Sequence, residues 1–204
     1  MNRIDEIYRN AADTEAFAAG YLGYLSQVLG SISKAEIAAF VDLLLDARSR
    51  NAKILFMGNG GSAATASHFA NDIAIGTRTF ESPFRALSLT DNSATISAIA
   101  NDDGYEKIFL QQLQVLMEPG DLVIAISASG NSRNLVDAVE WANQSGGITV
   151  ALTAFDGGIL RGLAKYNVHV PTNRGEYGPA EDAHMVLDHL LAAYLTRFIR
   201  EHKN

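Results

Sequence analysis

Two short stretches combine glycine, serine and asparagine in a way that suits an anion: Gly58-Asn59-Gly60-Gly61-Ser62 and Ser127-Ala128-Ser129-Gly130-Asn131-Ser132. Each follows a short apolar run and precedes a helix-forming segment, Ala63–Ile75 after the first and Asn134–Asn143 after the second. A turn of this kind at a helix N-terminus presents successive backbone N–H groups and the positive end of the helix dipole. Serine hydroxyls add donors without bulk. The same residue types are the commonest turn and N-cap formers, so either stretch alone reads as structural. Two of them at equivalent places, one with three serines in six residues, favour a ligand. Neither runs into the Gly-Lys-Ser/Thr of a nucleoside-triphosphate loop, and the first lacks the G-x-G-x-x-G spacing of a dinucleotide site. A phosphate monoester is the better fit.

The elements that must carry these turns are legible from apolar spacing. Strand-length runs lie at Ile54–Met57, Phe84–Leu89, Leu122–Ile126, Ile148–Leu152 and Asn167–Val170, with helix-like segments between them. Strands alternating with helices imply right-handed crossovers and a mostly parallel sheet covered on both faces. The spacing therefore predicts a three-layer αβα sandwich with a five-stranded parallel sheet, and ligands in such sheets bind outside the carboxyl ends of the strands. The first fifty residues read as helical, with Phe17, Tyr21, Leu22, Tyr24 and Leu25 at helical spacing. Ser33 and Glu36 then form a capping box ahead of Ile37, Phe40, Val41, Leu44 and Leu45. A long helix closes the chain, from about Pro179 to His202. No internal repeat or linker interrupts residues 1–204, which read as a single α/β domain whose first 50 residues form a helical extension. Apolar faces placed ahead of an already covered sheet call for another subunit or the monomer's own edge, and a homo-oligomer is expected.

Composition narrows the function further. Lys and Arg number 16 against 23 Asp and Glu, a net charge of -7, which argues against a nucleic-acid partner needing a basic face. There is no cysteine, so disulfides, thiolate chemistry and cysteine-ligated zinc are excluded. The N-terminus MNRIDEIYRN lacks the pattern of a signal peptide, and no apolar run approaches the ~20 residues of a membrane span. A soluble, cytoplasmic protein with no membrane partner is expected.

The segments GNGGSAATASHFANDI, IANDDGYEKIF, ISASGNSRN and ALTAFDGG together resemble the sugar isomerase (SIS) domain family, flavodoxin-like in fold. Within it the chain resembles the phosphoheptose isomerases, from about Ile54 to Leu195. That resemblance implies interconversion of sedoheptulose 7-phosphate and D-glycero-D-manno-heptose 7-phosphate through an enediol, in a homotetramer with sites at subunit contacts. It also implies heptose supply for surface polysaccharide such as lipopolysaccharide. By the same resemblance Asn59, Gly60, Gly61 and Ser62 face the substrate, Asn101 and Asp102 contact sugar hydroxyls, and Ser127, Ala128, Ser129 and Ser132 hold the phosphate. His68, Asp72, Glu181 and His189 match the family's zinc positions, with Asp72 and Glu181 also against substrate and Asp72 and His189 as proton carriers.

Two of those positions depart from the family: Asp72 stands where a glutamate is usual, and Glu181 where a glutamine is usual. Both bear on the choice of sugar more than on the reaction class. His68 and Asp72 are four residues apart, so they share a helix face and could reach one ion, although such a pair is also ordinary on a helix surface. Glu181 and His189 are eight apart, about 12 Å along a helix. His184 and Asp188 form a rival pair expected on the surface, and His169 and His202 are assigned to structure. Another divalent metal, or none, stays open beside zinc. Isomerisation of a different phosphosugar stays open too, as does a non-catalytic SIS binding module resembling a partner of the bacterial replication initiator.

Overall fold

The computed structural model describes residues 2–202. Five strands form one all-parallel sheet: β1 (Lys53–Gly58), β2 (Arg85–Ser88), β3 (Leu122–Ser127), β4 (Ile148–Ala154) and β5 (Tyr166–Val170), in the order β2-β1-β3-β4-β5. β3 is buried along its whole length and β1 and β4 nearly so, the continuous apolar pattern of strands covered on both faces. Alternate residues divide between two cores. Ile54, Phe56, Ile124 and Leu152 face one side, and Leu55, Met57, Val123 and Ala151 face the other.

The first side is covered by α3 (Lys34–Ser49), α4 (Gly61–Asn71) and α9 (Tyr177–Glu201), the second by α6 (Leu110–Leu116), α7 (Arg133–Gln144) and α8 (Gly158–Leu163). In the first layer the rings of Phe56 and Phe69 stack at 5.2 Å, fixing α4 on β1. α5 (Ser93–Asp102) lies on the way from β2 to β3 and buries none of its residues fully. Because the chain leaves β1 toward one edge and β3 toward the other, the order reverses between these two strands. That reversal opens a crevice at their carboxyl ends.

The N-terminal region corrects one expectation. It holds α1 (Arg3–Asn10), α2 (Thr14–Ser31) and α3, but α3 is no free extension. Its Phe40, Val41, Leu44 and Ala47 are buried in the first core, so it is a layer of the sandwich itself. Only α1 and α2 stand outside, with Val28 the one fully buried residue of α2. The capping box forms by half. Ser33 Oγ accepts from Glu36 N at 3.2 Å, while the Glu36 carboxylate accepts from His169 N at 2.9 Å and so pins α3 to β5.

A buried carboxylate ties the outer helices down. Glu176, 1% exposed, stands directly before α9. It accepts from Arg3 N and Tyr24 Oη at 2.5 Å each, and from Asn173 N at 2.8 Å and Asn173 Nδ2 at 3.0 Å. Burial alone would raise its pKa, but the hydrogen bonds from Tyr24, Asn173 and Arg3 outweigh it and hold the carboxyl below its ordinary value. One turn away on α2, Tyr21 donates to Asp182 at 2.6 Å.

Candidate functional site

Both glycine–serine turns lie where the strand order reverses, one after β1 and one after β3. They are joined there by a reciprocal amide pair: Asn59 Nδ2 donates to Asn134 Oδ1 at 3.0 Å, and Asn134 Nδ2 donates to Asn59 Oδ1 at 2.9 Å. Tyr105 adds a hydroxyl bond to Asn59 Oδ1 at 3.0 Å. Neither Asn134 nor Tyr105 is marked by the sequence reading. Asn134 is buried in the first turn of α7 and Tyr105 follows α5, so only folding brings them to Asn59.

The serine turn spends two of its amides on itself, Gly130 N on Ser127 Oγ and Asn131 N on Ser129 Oγ, and leaves the Ser132 hydroxyl open. Ser132 is the N-cap of α7, yet its hydroxyl makes no capping bond. Ser127 Oγ instead accepts from Gly130 N at 3.1 Å, which curls the turn back on the strand end. Gly130 has φ +64°, and a Cβ there would lie 2.6 Å from the carbonyl carbon of Gly157. Leu160 N bonds to Gly130 O at 3.0 Å and Ile159 N to Asn131 Oδ1 at 3.1 Å, so the turn is clamped against the start of α8. At the first turn Gly60 caps α4 with no side chain to offer, at φ +55°. The N-terminus of α4 thus points its amides into the same crevice.

α4 and α9 pack side by side, and their facing residues make two rungs. In the upper rung Gly61 meets Glu181: a Cβ on Gly61 would lie 2.5 Å from Glu181 Cδ. Burial, with Asp182 beside it, raises the Glu181 carboxyl above its ordinary value. In the lower rung, seven residues along both helices, His68 meets Asp188 and His189. Seven residues of helix are about 10 Å. The His68 and His189 rings stand edge to face at 5.0 Å. His68 Nε2 is 3.6 Å from Asp72 Oδ2 and 4.0 Å from Asp188 Oδ2. One ligand atom from each of His68, Asp72, Asp188 and His189 lies within 4.8 Å of the others.

The expected four-residue set is therefore only partly assembled. His68, Asp72 and His189 come together, with Asp188 beside them, while Glu181 lies in the upper rung. α4 also ends earlier than the expected Ile75. From Asp72 to Gly76 the helix widens into a π turn, so Asp72 sits where the backbone changes pitch, its Oδ1 held by Asn71 Nδ2 at 3.0 Å. Such turns gather at functional sites.

The His184–Asp188 pair is not on the surface. Both residues are completely buried. Burial pushes the His184 imidazole down to about 4, keeping it neutral. It pushes the Asp188 carboxyl up to about 7, with Asp72 adding to the rise and His189 opposing it. The sequence does carry a signal for this: Ala180, His184, Leu187, Asp188, Leu191 and Leu195 form one helical stripe, so the two polar residues ride the apolar face of α9. His169 lies in β5, its Nδ1 3.0 Å from Thr153 Oγ1, and His202 stacks on Phe198 at 4.2 Å, both away from this cluster. Asn101 and Asp102 are exposed at the end of α5, bonded to each other at 2.7 Å, one turn before Tyr105.

Two imidazoles and two carboxylates are a donor set that suits a borderline dication such as zinc, and both Asp188 oxygens are buried without a hydrogen-bond partner. These residues fit the metal that the resemblance implies. No helix among the described residues is long and apolar enough to cross a membrane.

Comparison with known proteins agrees with this architecture. Residues 17–154 match the SIS domain family. The chain is 39% identical over 155 residues to the phosphoheptose isomerase of Geobacter metallireducens, an alignment spanning 76% of this chain and 81% of that protein. It is 35% identical over 181 residues to the phosphoheptose isomerase of Chlorobium phaeobacteroides, spanning 88% of this chain and 80% of the relative. The solved phosphoheptose isomerase from Neisseria gonorrhoeae superposes with a TM-score of 0.79 at 30% identity, covering 90% of this chain and 98% of its own.

Proposed function

The chain belongs to the SIS domain family, with phosphoheptose isomerases among its relatives, and from that premise we propose that it interconverts sedoheptulose 7-phosphate and D-glycero-D-manno-heptose 7-phosphate. The observation that carries the reading is the joining of two donor-rich turns across the β1/β3 reversal, within two helical turns of a carboxylate–imidazole cluster. In this reading the phosphate lies on the serine turn, held by Ser127, Ser129 and Ser132 and the backbone of Ala128. Asn59, Gly60, Gly61, Ser62, Asn101, Asp102 and Glu181 address the sugar, and its reacting end points down α4 toward Asp72 and His189.

The reaction moves one carbon-bound proton and needs no co-reactant. A base removes a proton from C1 of the ketose while O2 gains one, giving the enediol; return of a proton to C2 and loss of the O1 proton give the aldehyde. His189 and Asp72 are suited to these transfers, one holding a proton while the other accepts. A zinc ion held by His68, Asp72 and His189 would stabilise negative charge as it develops on the sugar oxygens. The turns contribute by position: they fix the far end of the substrate, so that the carbon to be deprotonated meets the base without a search.

The same reading includes a cytoplasmic homotetramer feeding surface polysaccharide. An exposed apolar stripe on α9 supports assembly: Val186, Leu190 and Tyr194 are 38%, 44% and 48% exposed beside His189, and Leu22 on α2 is 64% exposed. Light scattering after gel filtration is expected to give four chains per particle. Activity is tested by NMR in deuterated water with sedoheptulose 7-phosphate, with and without zinc. Deuterium at C2 of an aldoheptose product is the expected result. Binding of the phosphosugar with no exchange would replace the proposal with a different sugar or a non-catalytic binding module, and absence of binding would end it.

A further inference from the structure

Asp188 is a carboxylate in a place where a carboxylate should not be left alone. It is 0% exposed, on the apolar face of α9 between Leu187 and Leu191, and neither of its oxygens has a hydrogen-bond partner among the described residues. Burying a charged group without compensation costs several kcal/mol, so such a group either takes up a proton or is compensated from its open side. On that side Asp188 meets the donor atoms of His68, Asp72 and His189, all four within 4.8 Å of one another.

We propose that Asp188 is a direct ligand of a divalent cation shared with His68, Asp72 and His189, and that Glu181 is left to the sugar. This deepens the isomerase reading above and rests on the metal it includes; Asp188 is outside the ligand set implied by the family resemblance. The geometry is close to what an ion requires. Tetrahedral zinc with bonds of ~2.0–2.1 Å sets its ligand atoms about 3.3 Å apart. The separations are 3.6 Å from His68 to Asp72 and 4.0 Å from His68 to Asp188, and no pair of the four exceeds 4.8 Å, so the side chains must draw in by up to about 1.5 Å around the ion. The charges also balance, because two carboxylates and two neutral imidazoles around a dication leave no net charge in a half-buried site. Glu181 sits a rung higher, about 10 Å along the helix, against the N-terminus of α4.

The test reads metal directly and needs no substrate. Chelator-stripped protein is titrated with zinc by calorimetry and with cobalt by visible absorption, for the parent chain, Asp188→Asn, His68→Ala and Glu181→Gln. Asp188→Asn is expected to weaken zinc binding by more than about 100-fold and to change the cobalt spectrum, beyond the 10–100-fold typical of an outer-shell partner. Glu181→Gln is expected to stay within about threefold of the parent. A loss under 100-fold in Asp188→Asn, a loss of metal in Glu181→Gln, or no metal binding by the parent chain would each overturn the proposal. X-ray absorption on the zinc-loaded parent gives a second measurement independent of any variant's folding: two imidazoles and two carboxylates support it, and any other donor count refutes it. A chain that binds zinc through Asp188 but shows no exchange would keep this inference and end the isomerase reading.

Discussion

Replacing Glu176 with glutamine probes how α1 and α2 are held to the head of α9. The carboxylate accepts four hydrogen bonds in a pocket that leaves it 1% exposed. A glutamine keeps one acceptor oxygen and places an NH2 group at the other position. The least costly orientation turns that group toward Tyr24, whose hydroxyl can reverse and accept, but it then faces Asn173 N, another donor. The three remaining bonds lose their charge assistance, worth ~1 kcal/mol each, and one opposed donor costs ~1–3 kcal/mol. Relief from burying a charge offsets part of this, leaving a net loss of about 2 kcal/mol. For a chain of 204 residues that is a fall of about 4–8 °C in Tm. The pH dependence follows from the sign of the shift. Glu176 is held below its ordinary value of 4.5, so its contribution is complete above that pH and fades as pH falls through the lowered folded value. Urea unfolding of both chains from pH 7 to pH 3 is the assay. The parent should lose its advantage below about pH 4.5, and the two curves should converge. Equal midpoints at pH 7, or curves that stay parallel into acid, would refute the account of Glu176 as a charged tie.

Ser132→Ala should leave the unfolding midpoint within ~0.5 kcal/mol of the parent, because this N-cap makes no capping bond, while raising KM for the phosphosugar ~10–100-fold, the worth of one hydrogen bond to a charged group. Steady-state kinetics beside a thermal melt checks both halves. Gly130→Ala meets a left-handed backbone and the Gly157 carbonyl group together, and should lower stability by at least about 3 kcal/mol in a denaturant titration. Asn134→Leu removes the amide that joins the two turns, leaving Asn59 with only Tyr105; it should cost ~1–3 kcal/mol and lower kcat/KM beyond what the melt predicts.

The sheet was readable because its physics is local. Parallel strands buried on both faces must be continuous apolar runs, and turns of Gly, Ser and Asn must end them, so each strand was found within about two residues. The two donor-rich turns followed from the same pattern. What escaped depends on which surface a helix meets. Periodicity gives α3 an apolar face but does not say that the face covers the sheet, so it read as part of an extension. Asp188 and His184 read as an exposed pair because polar residues usually are, although their place on the stripe with Leu187 and Leu191 indicated otherwise. Glu176, Tyr24 and Arg3 lie more than 150 residues apart across their hydrogen bonds, and no local signal joins them. The departure at Glu181 likewise gained meaning only when Gly61 was found opposite it.

The clamp on the serine turn bears on how fast and how selectively the crevice can capture an anion. Because Gly130 lies backbone to backbone against Gly157, and Leu160 and Ile159 bond back to the turn, its backbone is already set when the protein has folded. The entropy of ordering that loop is therefore lost once, during folding, rather than at each encounter with ligand. In the proposed reading, recognition of the phosphate then resembles docking on a fixed template. Inorganic phosphate alone should compete for the crevice, and ligands lacking a doubly charged head group should gain little by adjusting to it.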